Sequence, residues 1–228
     1  MLQLSQEIQN KISDNFTYQP QTTASFDVDC QKGFTPICPD ELPVQDGDQI
    51  VDELNAQAKF AQWRLGSKDA HPSNPLWIAK IPQDILTPIS PSAENIDVYW
   101  PLHCVAGTQG CELLDGLPAP ENYDFFVWKG VEPHLHPYGA CYHDLHNRLS
   151  TGVIEFLHSK NINLIIIGGL ATDYCVANTA KQLKNAGFHV IVNLGACRGV
   201  ATNSTEKTID EFAKLNIVMI NSASELIA

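Results

Sequence analysis

Apolar and polar positions along this chain alternate between two rhythms. Residues 163–168 hold the run Leu164-Ile165-Ile166-Ile167 before Gly168. That run is short enough for a strand and apolar at successive positions, the pattern of a strand buried on both faces. Residues 24–29 (ASFDVD), 63–67, 124–129 (DFFVWK), 189–194 and 217–220 read as further strands. Residues 48–62 place Ile50, Val51, Leu54, Ala58 and Ala61 at helical spacing, with Asp46 and Asp48 as capping groups at the start. Residues 151–160 behind Ser150, 173–185 and 204–215 read as helices. Strands alternating with helices predict an α/β fold: three α/β/α layers around a central, mostly parallel sheet.

The rhythm breaks over residues 72–123, which contain eight of the 14 prolines and little periodicity. So long an irregular insert in a compact domain is usually functional, a lid or a binding loop. Residues 1–22 are polar and read as an N-terminal extension that packs loosely or forms a short helix. Residues 23–228 read as one domain.

Composition narrows the function classes. At 44% hydrophobic residues the chain can bury a substantial core. A net charge of -12 without any Lys/Arg run argues against nucleic acid as the main partner. Seven cysteines, an odd number with no CxxC pair, argue against a disulfide framework or a zinc knuckle and suit a reducing compartment. The first residues lack a basic start followed by an apolar run, and no apolar stretch is long enough to span a bilayer. A soluble, cytoplasmic protein with no membrane partner is expected.

In open α/β sheets, ligands sit beyond the carboxyl ends of the strands. The residues just past the expected strands are Asp29, Asp69 with His71, Lys129, and 169–175, so all can converge on one crevice. Cys175 falls in the first turn of the helix after the most apolar strand. Unpaired N–H groups there favour a thiolate and can hold an oxyanion. By residue type alone Cys175 could equally pack that helix on the sheet. Cys30, Cys104 and especially Cys197 remain rivals. Asp69-x-His71 with His103 offers a carboxylate and two imidazoles, a set that suits zinc, iron or manganese. The same residues could form only a turn and a buried histidine.

GGLATDYCV resembles the nucleophile motif of the isochorismatase-like cysteine hydrolases, in particular their nicotinamidase branch. ASFDVDCQKGF, SKDAHPSN, WPLHC, VWKG and GACRGV accompany it in the family's order, so the similarity runs from about residue 24 to residue 221. The resemblance implies hydrolysis of nicotinamide to nicotinate in NAD salvage, through a thioester on Cys175. It implies Asp29 as the acid/base, since the family's following aromatic residue lies five positions on, as Phe34 does here, whereas Asp27 does not fit. It further implies Lys129 as the catalytic lysine and an oxyanion hole from the N–H groups of Ala171 and Cys175, with Leu170–Ala171 cis. Asp69, His71 and His103 would hold one divalent metal ion, and Phe34 and Trp100 would flank the substrate ring.

For a fourth protein ligand the neighbouring sequence offers only Ser73, Asn74 and the distant Glu94, so water is expected there. Two departures from the family, Tyr138-Gly139-Ala140-Cys141 after the lysine and the long insert, bear on substrate breadth and on contacts in a possible homo-oligomer. Three other readings stay open: another amidase of the superfamily acting on a carbamoyl or acyl-urea substrate, a non-catalytic binding protein, and a hydrolase using metal-activated water.

Overall fold

The computed structural model describes residues 2–89 and 95–227. Its strands are β1 (Thr23–Val28), β2 (Trp63–Asp69), β3 (Phe125–Lys129), β4 (Leu164–Leu170), β5 (His189–Arg198) and β6 (Val218–Ile220). They form one sheet in the order β3-β2-β1-β4-β5-β6, and every neighbouring pair is parallel. The expected parallel sheet is therefore present. The chain order reverses between β1 and β4, which opens a crevice beyond their carboxyl ends.

The apolar run of β4 explains why it lies at the centre. Ile165 and Ile167 pack with Phe26, Val28, Leu183, Val190 and Phe212 in one core cluster. That cluster takes in residues of α3 (Val153–Ser159), α4 (Ala177–Asn185) and α5 (Thr202–Lys214). Leu164 and Ile166 join a second cluster with Leu4, Ile8, Tyr18, Phe60 and Ile191. The alternation splits one strand between two cores, as the period of two requires. Residues before β1 are part of the second core. The short helix α1 (Gln6–Ile12) forms behind Ser5, whose hydroxyl accepts from Ile8 N–H, and its docking is close rather than loose.

Two local expectations need correction. The helix over 48–62 shortens to α2 (Val51–Ala58), preceded by a 3₁₀ turn at Gly47–Gln49. Neither Asp46 nor Asp48 caps it: Asp46 adopts a left-handed φ of 57°, and its carboxylate takes the Gln49 side chain instead. Strand β2 also runs two residues further than the pattern indicated, ending at Asp69.

Among the described residues of the insert 72–123 there is no α-helix and no strand, only 3₁₀ turns at Pro82–Asp84, Gln109–Cys111 and Pro120–Asn122. The insert carries its own small core of Trp77, Ile96 and Trp100. The bridge His71 to Val105 ties it to the carboxyl end of β2, and the bridge Ile78 to Trp100 closes the insert on itself. Glu94 lies outside the described residues. Among the described residues, no helix is long and apolar enough to cross a membrane.

Candidate active site

Three strand ends and one helix start supply the floor of the crevice. Asp29 follows β1 with a left-handed φ of 48°, so the chain turns out of the strand at that residue. Its backbone N–H donates to Ser67 O at 3.1 Å, and its Oδ1 accepts from Ser67 Oγ at 2.7 Å. Asp69 ends β2. Gln31 pins its main chain from both sides: Asp69 N–H donates to Gln31 Oε1, and Gln31 Nε2 donates to Asp69 O, each at 2.7 Å. Lys129 ends β3 and is fully buried.

The Lys129 ammonium touches every other polar group of the floor. Its Nζ lies 3.0 Å from Asp29 Oδ2, 2.6 Å from Asp69 Oδ1, 3.1 Å from Pro137 O and 3.7 Å from Cys175 Sγ. Cys175 sits in a wide π-helical turn, Thr172–Val176, that leads into α4, rather than in an ordinary first α-turn. Such turns recur at functional sites because they re-aim a side chain. The peptide Leu170–Ala171 is cis.

Burial and charge decide the protonation states. Burial pushes the Cys175 thiol well above its usual range, Lys129 pulls it back, and the Asp29 and Asp69 charges push it up again. Of these influences burial is the largest, so the thiol is raised despite the Lys129 ammonium beside it. Asp29 is also raised, by burial first, against the opposing pull of Lys129. Burial would raise Asp69 too, but Lys129 and His71 together hold it well below the usual carboxylate range. Burial would weaken the Lys129 ammonium, yet Asp29 and Asp69 outweigh that and keep it charged.

Beside this floor lies a cluster of three imidazoles, His71, His103 and His136, whose nitrogens come within 4.8 Å of one another. His71 Nδ1 pairs with Gly130 O at 2.9 Å and His103 Nδ1 with Pro101 O at 2.7 Å. Each carbonyl fixes the tautomer that leaves Nε2 as a lone-pair donor toward the cluster. His71 Nε2 and both nitrogens of His136 are buried with no hydrogen-bond partner. Burial above all pushes His103 down to about 3 and His136 well below its usual range. Neutral His103 and His136, together with the orphaned nitrogens of His71 and His136, suit a divalent cation. Asp69 Oδ2 lies 3.6 Å from His71 Nε2, so this carboxylate faces the cluster with the oxygen that Lys129 leaves free.

His136 was not among the sequence-predicted ligands, yet the structure brings it together with His71 and His103. Nothing in local spacing points to His136, seven residues beyond Lys129. Its segment is brought in by long-range main-chain bonds, Leu76 N–H to Pro133 O and His136 N–H to Asn95 O.

The pocket above these groups is lined by Phe34, Trp100, Tyr138, Ala171, Tyr174 and Cys175, with Asp69, His103 and His136 on its wall. Phe34 and Trp100, expected to flank a ring, both line it. Tyr138 and Tyr174 were not foreseen. Of the rival thiols, Cys30 and Cys104 pack into a buried cluster behind the pocket. Cys197 lies in the main core on β5, its thiol raised by burial to about 12. None of the three lines the pocket.

The isochorismatase domain model matches residues 23–224. A nicotinamidase of Acinetobacter baylyi is 32% identical over 92% of this chain and 97% of its own. Among solved structures, an Acinetobacter baumanii nicotinamidase/pyrazinamidase superposes with a TM-score of 0.82 at 30% identity, covering 92% of this chain and all of that one. A Pyrococcus horikoshii pyrazinamidase in complex with zinc superposes with a TM-score of 0.68 at 25% identity, covering 87% and 98%. With a domain match that runs from the start of β1 to Ser224, the chain belongs to the isochorismatase domain family.

Proposed function

We propose that this chain is a nicotinamidase, which hydrolyses nicotinamide to nicotinate and ammonia in NAD salvage. The observation that carries the reading is the fully buried ammonium of Lys129 in contact with Asp29, Asp69 and the Cys175 thiol, at a pocket whose wall holds neutral imidazoles. The similarity to nicotinamidases over nearly the whole chain supports it.

Because the resting sulfur is a thiol, the reaction needs a base at hand. Asp29 takes the Cys175 proton as the sulfur attacks the amide carbon, and Lys129 balances the shared negative charge. The backbone N–H groups of Ala171 and Cys175 are the proposed donors to the oxyanion. The tetrahedral species collapses with cleavage of the C–N bond, and Asp29 returns its proton to the departing ammonia. Asp29 then removes a proton from water, which attacks the thioester and releases nicotinate and the thiol. Phe34 and Trp100 hold the ring, so the carboxamide stays within reach of sulfur.

Asp69, His71, His103 and His136 would hold one divalent cation, of the zinc, iron or manganese class, supplying a Lewis-acid anchor for the ring nitrogen. That the Pyrococcus horikoshii relative was solved in complex with zinc supports a divalent metal in this chain. Seven free cysteines favour the cytoplasm as its compartment.

The test is ammonia release from a panel of amides, before and after chelation, with wild type and Cys175→Ala. Turnover of nicotinamide that vanishes in the variant supports the reading. Full turnover by Cys175→Ala, or a preference for a carbamoyl substrate, overturns it.

A further inference from the structure

The irregular insert does more than cover the crevice. Tyr138 lines the inner pocket, and it also lines an outer cleft walled by Leu86, Asp97, Val98, Leu145 and Asn178. Tyr174 is shared in the same way, its ring centroid 5.6 Å from that of Tyr138, so these two rings divide the spaces. The spaces differ greatly in size, with cavity volumes of about 20 Å³ inside and about 480 Å³ outside.

One face of that partition is tied to the insert. Tyr138 Oη donates to Asp97 Oδ1 at 2.8 Å and accepts from Trp100 Nε1 at 3.1 Å. Asp97 is itself fixed, because its Oδ1 accepts from Val98 N–H at 2.8 Å. Main-chain bonds from Ile89 N–H to Asp97 O and from Tyr99 N–H to Thr87 O brace the arm that carries it. Both hydrogen-bonding roles of the phenol are thus filled from the insert.

We propose that Asp97 is a positioning residue for specificity: by latching Tyr138 it keeps the inner pocket closed to anything broader than a single aromatic ring. The inference rests on the nicotinamidase reading for its substrate and not for its geometry. Without the latch, the Tyr138 ring can swing into the outer cleft and the two spaces merge. Tyr138→Phe and Asp97→Ala each remove the bond, while Asp97→Asn keeps an acceptor oxygen in place.

Two ratios read the latch. One is kcat/KM for quinoline-3-carboxamide, a fused two-ring amide, over that for nicotinamide. The other, independent of any substrate, is the alkylation rate at Cys175 by iodoacetanilide over that by iodoacetamide, followed on the Cys175 peptide by mass spectrometry. Loss of the Asp97 hydrogen bond predicts that both ratios rise about fivefold in Asp97→Ala and at least as far in Tyr138→Phe, which also gives up the Trp100 bond, with Asp97→Asn returning them toward wild type. A purely structural role would lower both rates of a pair alike and leave the ratios still. Ratios unchanged in both variants overturn the latch. Wild type that fails on nicotinamide while the alkylation ratios shift overturns the functional reading and leaves the latch standing.

Discussion

Lys129 donates to Asp69 at 2.6 Å through the Oδ1 oxygen, while Asp69 Oδ2 faces His71. One carboxylate therefore joins the group beside the thiol to the group beside the imidazoles. Lys129 is also the partner of Asp29, so two buried carboxylates depend on one ammonium.

Removing that ammonium has an expected cost in both stability and turnover. Lys129→Met keeps most of the side-chain volume and leaves Asp29 and Asp69 buried without a counter-charge. Breaking a buried pair on one side costs about 3–5 kcal/mol, so the variant should melt well below wild type and lose nicotinamide turnover. Scanning calorimetry with a steady-state assay checks this. A melting temperature within a degree of wild type would mean that the carboxylates find other compensation.

His136 is the next test. As a third imidazole with two orphaned nitrogens, it should contribute directly to holding a cation. His136→Ala is expected to weaken zinc binding at least about a hundredfold, by analogy with the 10–100-fold that even outer-shell partners contribute. Titration of the metal-free protein by calorimetry gives the affinity, and the zinc-induced rise in melting temperature should shrink with it. Equal zinc affinity in variant and wild type would remove His136 from the site.

How far the sequence discloses this protein depends on the range of the forces involved. The sheet was legible because strand and helix periodicities are local, as the split of β4 between two cores shows. The convergence of Asp29, Asp69, Lys129 and Cys175 was legible too, since parallel strands align their carboxyl ends. His136 was not, because a loop's path is set by distant main-chain partners rather than by its own spacing. The direction of the Cys175 shift was also hidden: helix position is written in the sequence, but burial beside two carboxylates is not. Asp46 and Asp48 failed as caps for a similar reason, since the 3₁₀ turn intervenes before α2.

Gly130 follows Lys129 with φ of 67°, a region that favours glycine. A Cβ built there would lie 2.3 Å from His71 Cε1, closer than any real contact. Gly130 also presents the carbonyl that orients His71. Gly130→Ala should therefore destabilise the fold by about 1–3 kcal/mol and displace the His71 ring. The check is a denaturant melt together with zinc content after dialysis. Unchanged stability and full zinc content would show that the loop relaxes without cost.

Asp27, two residues before Asp29, gives a prediction about pH and stability that leaves the reacting groups aside. It is buried against Arg64 at 2.7 Å and Tyr123 at 2.9 Å, with its second oxygen unpaired. Burial raises it to about 6, only partly offset by Arg64 and by the Tyr123 hydrogen bond. A folded-state value above the unfolded one means that the native protein binds more protons between roughly pH 4 and 6. Asp27 thus adds stability as pH falls through 6 and withdraws it as pH rises. Its share of the change between pH 7 and pH 5 is about 1 kcal/mol. Asp27→Asn keeps an acceptor for both partners and cannot titrate, so its stability should gain about 1 kcal/mol less than wild type over that interval. Urea unfolding of both proteins at the two pH values measures the difference. Parallel pH dependence in the two would mean that Asp27 stays ionised in the folded state across the whole range, held by Arg64 against the pull of its burial.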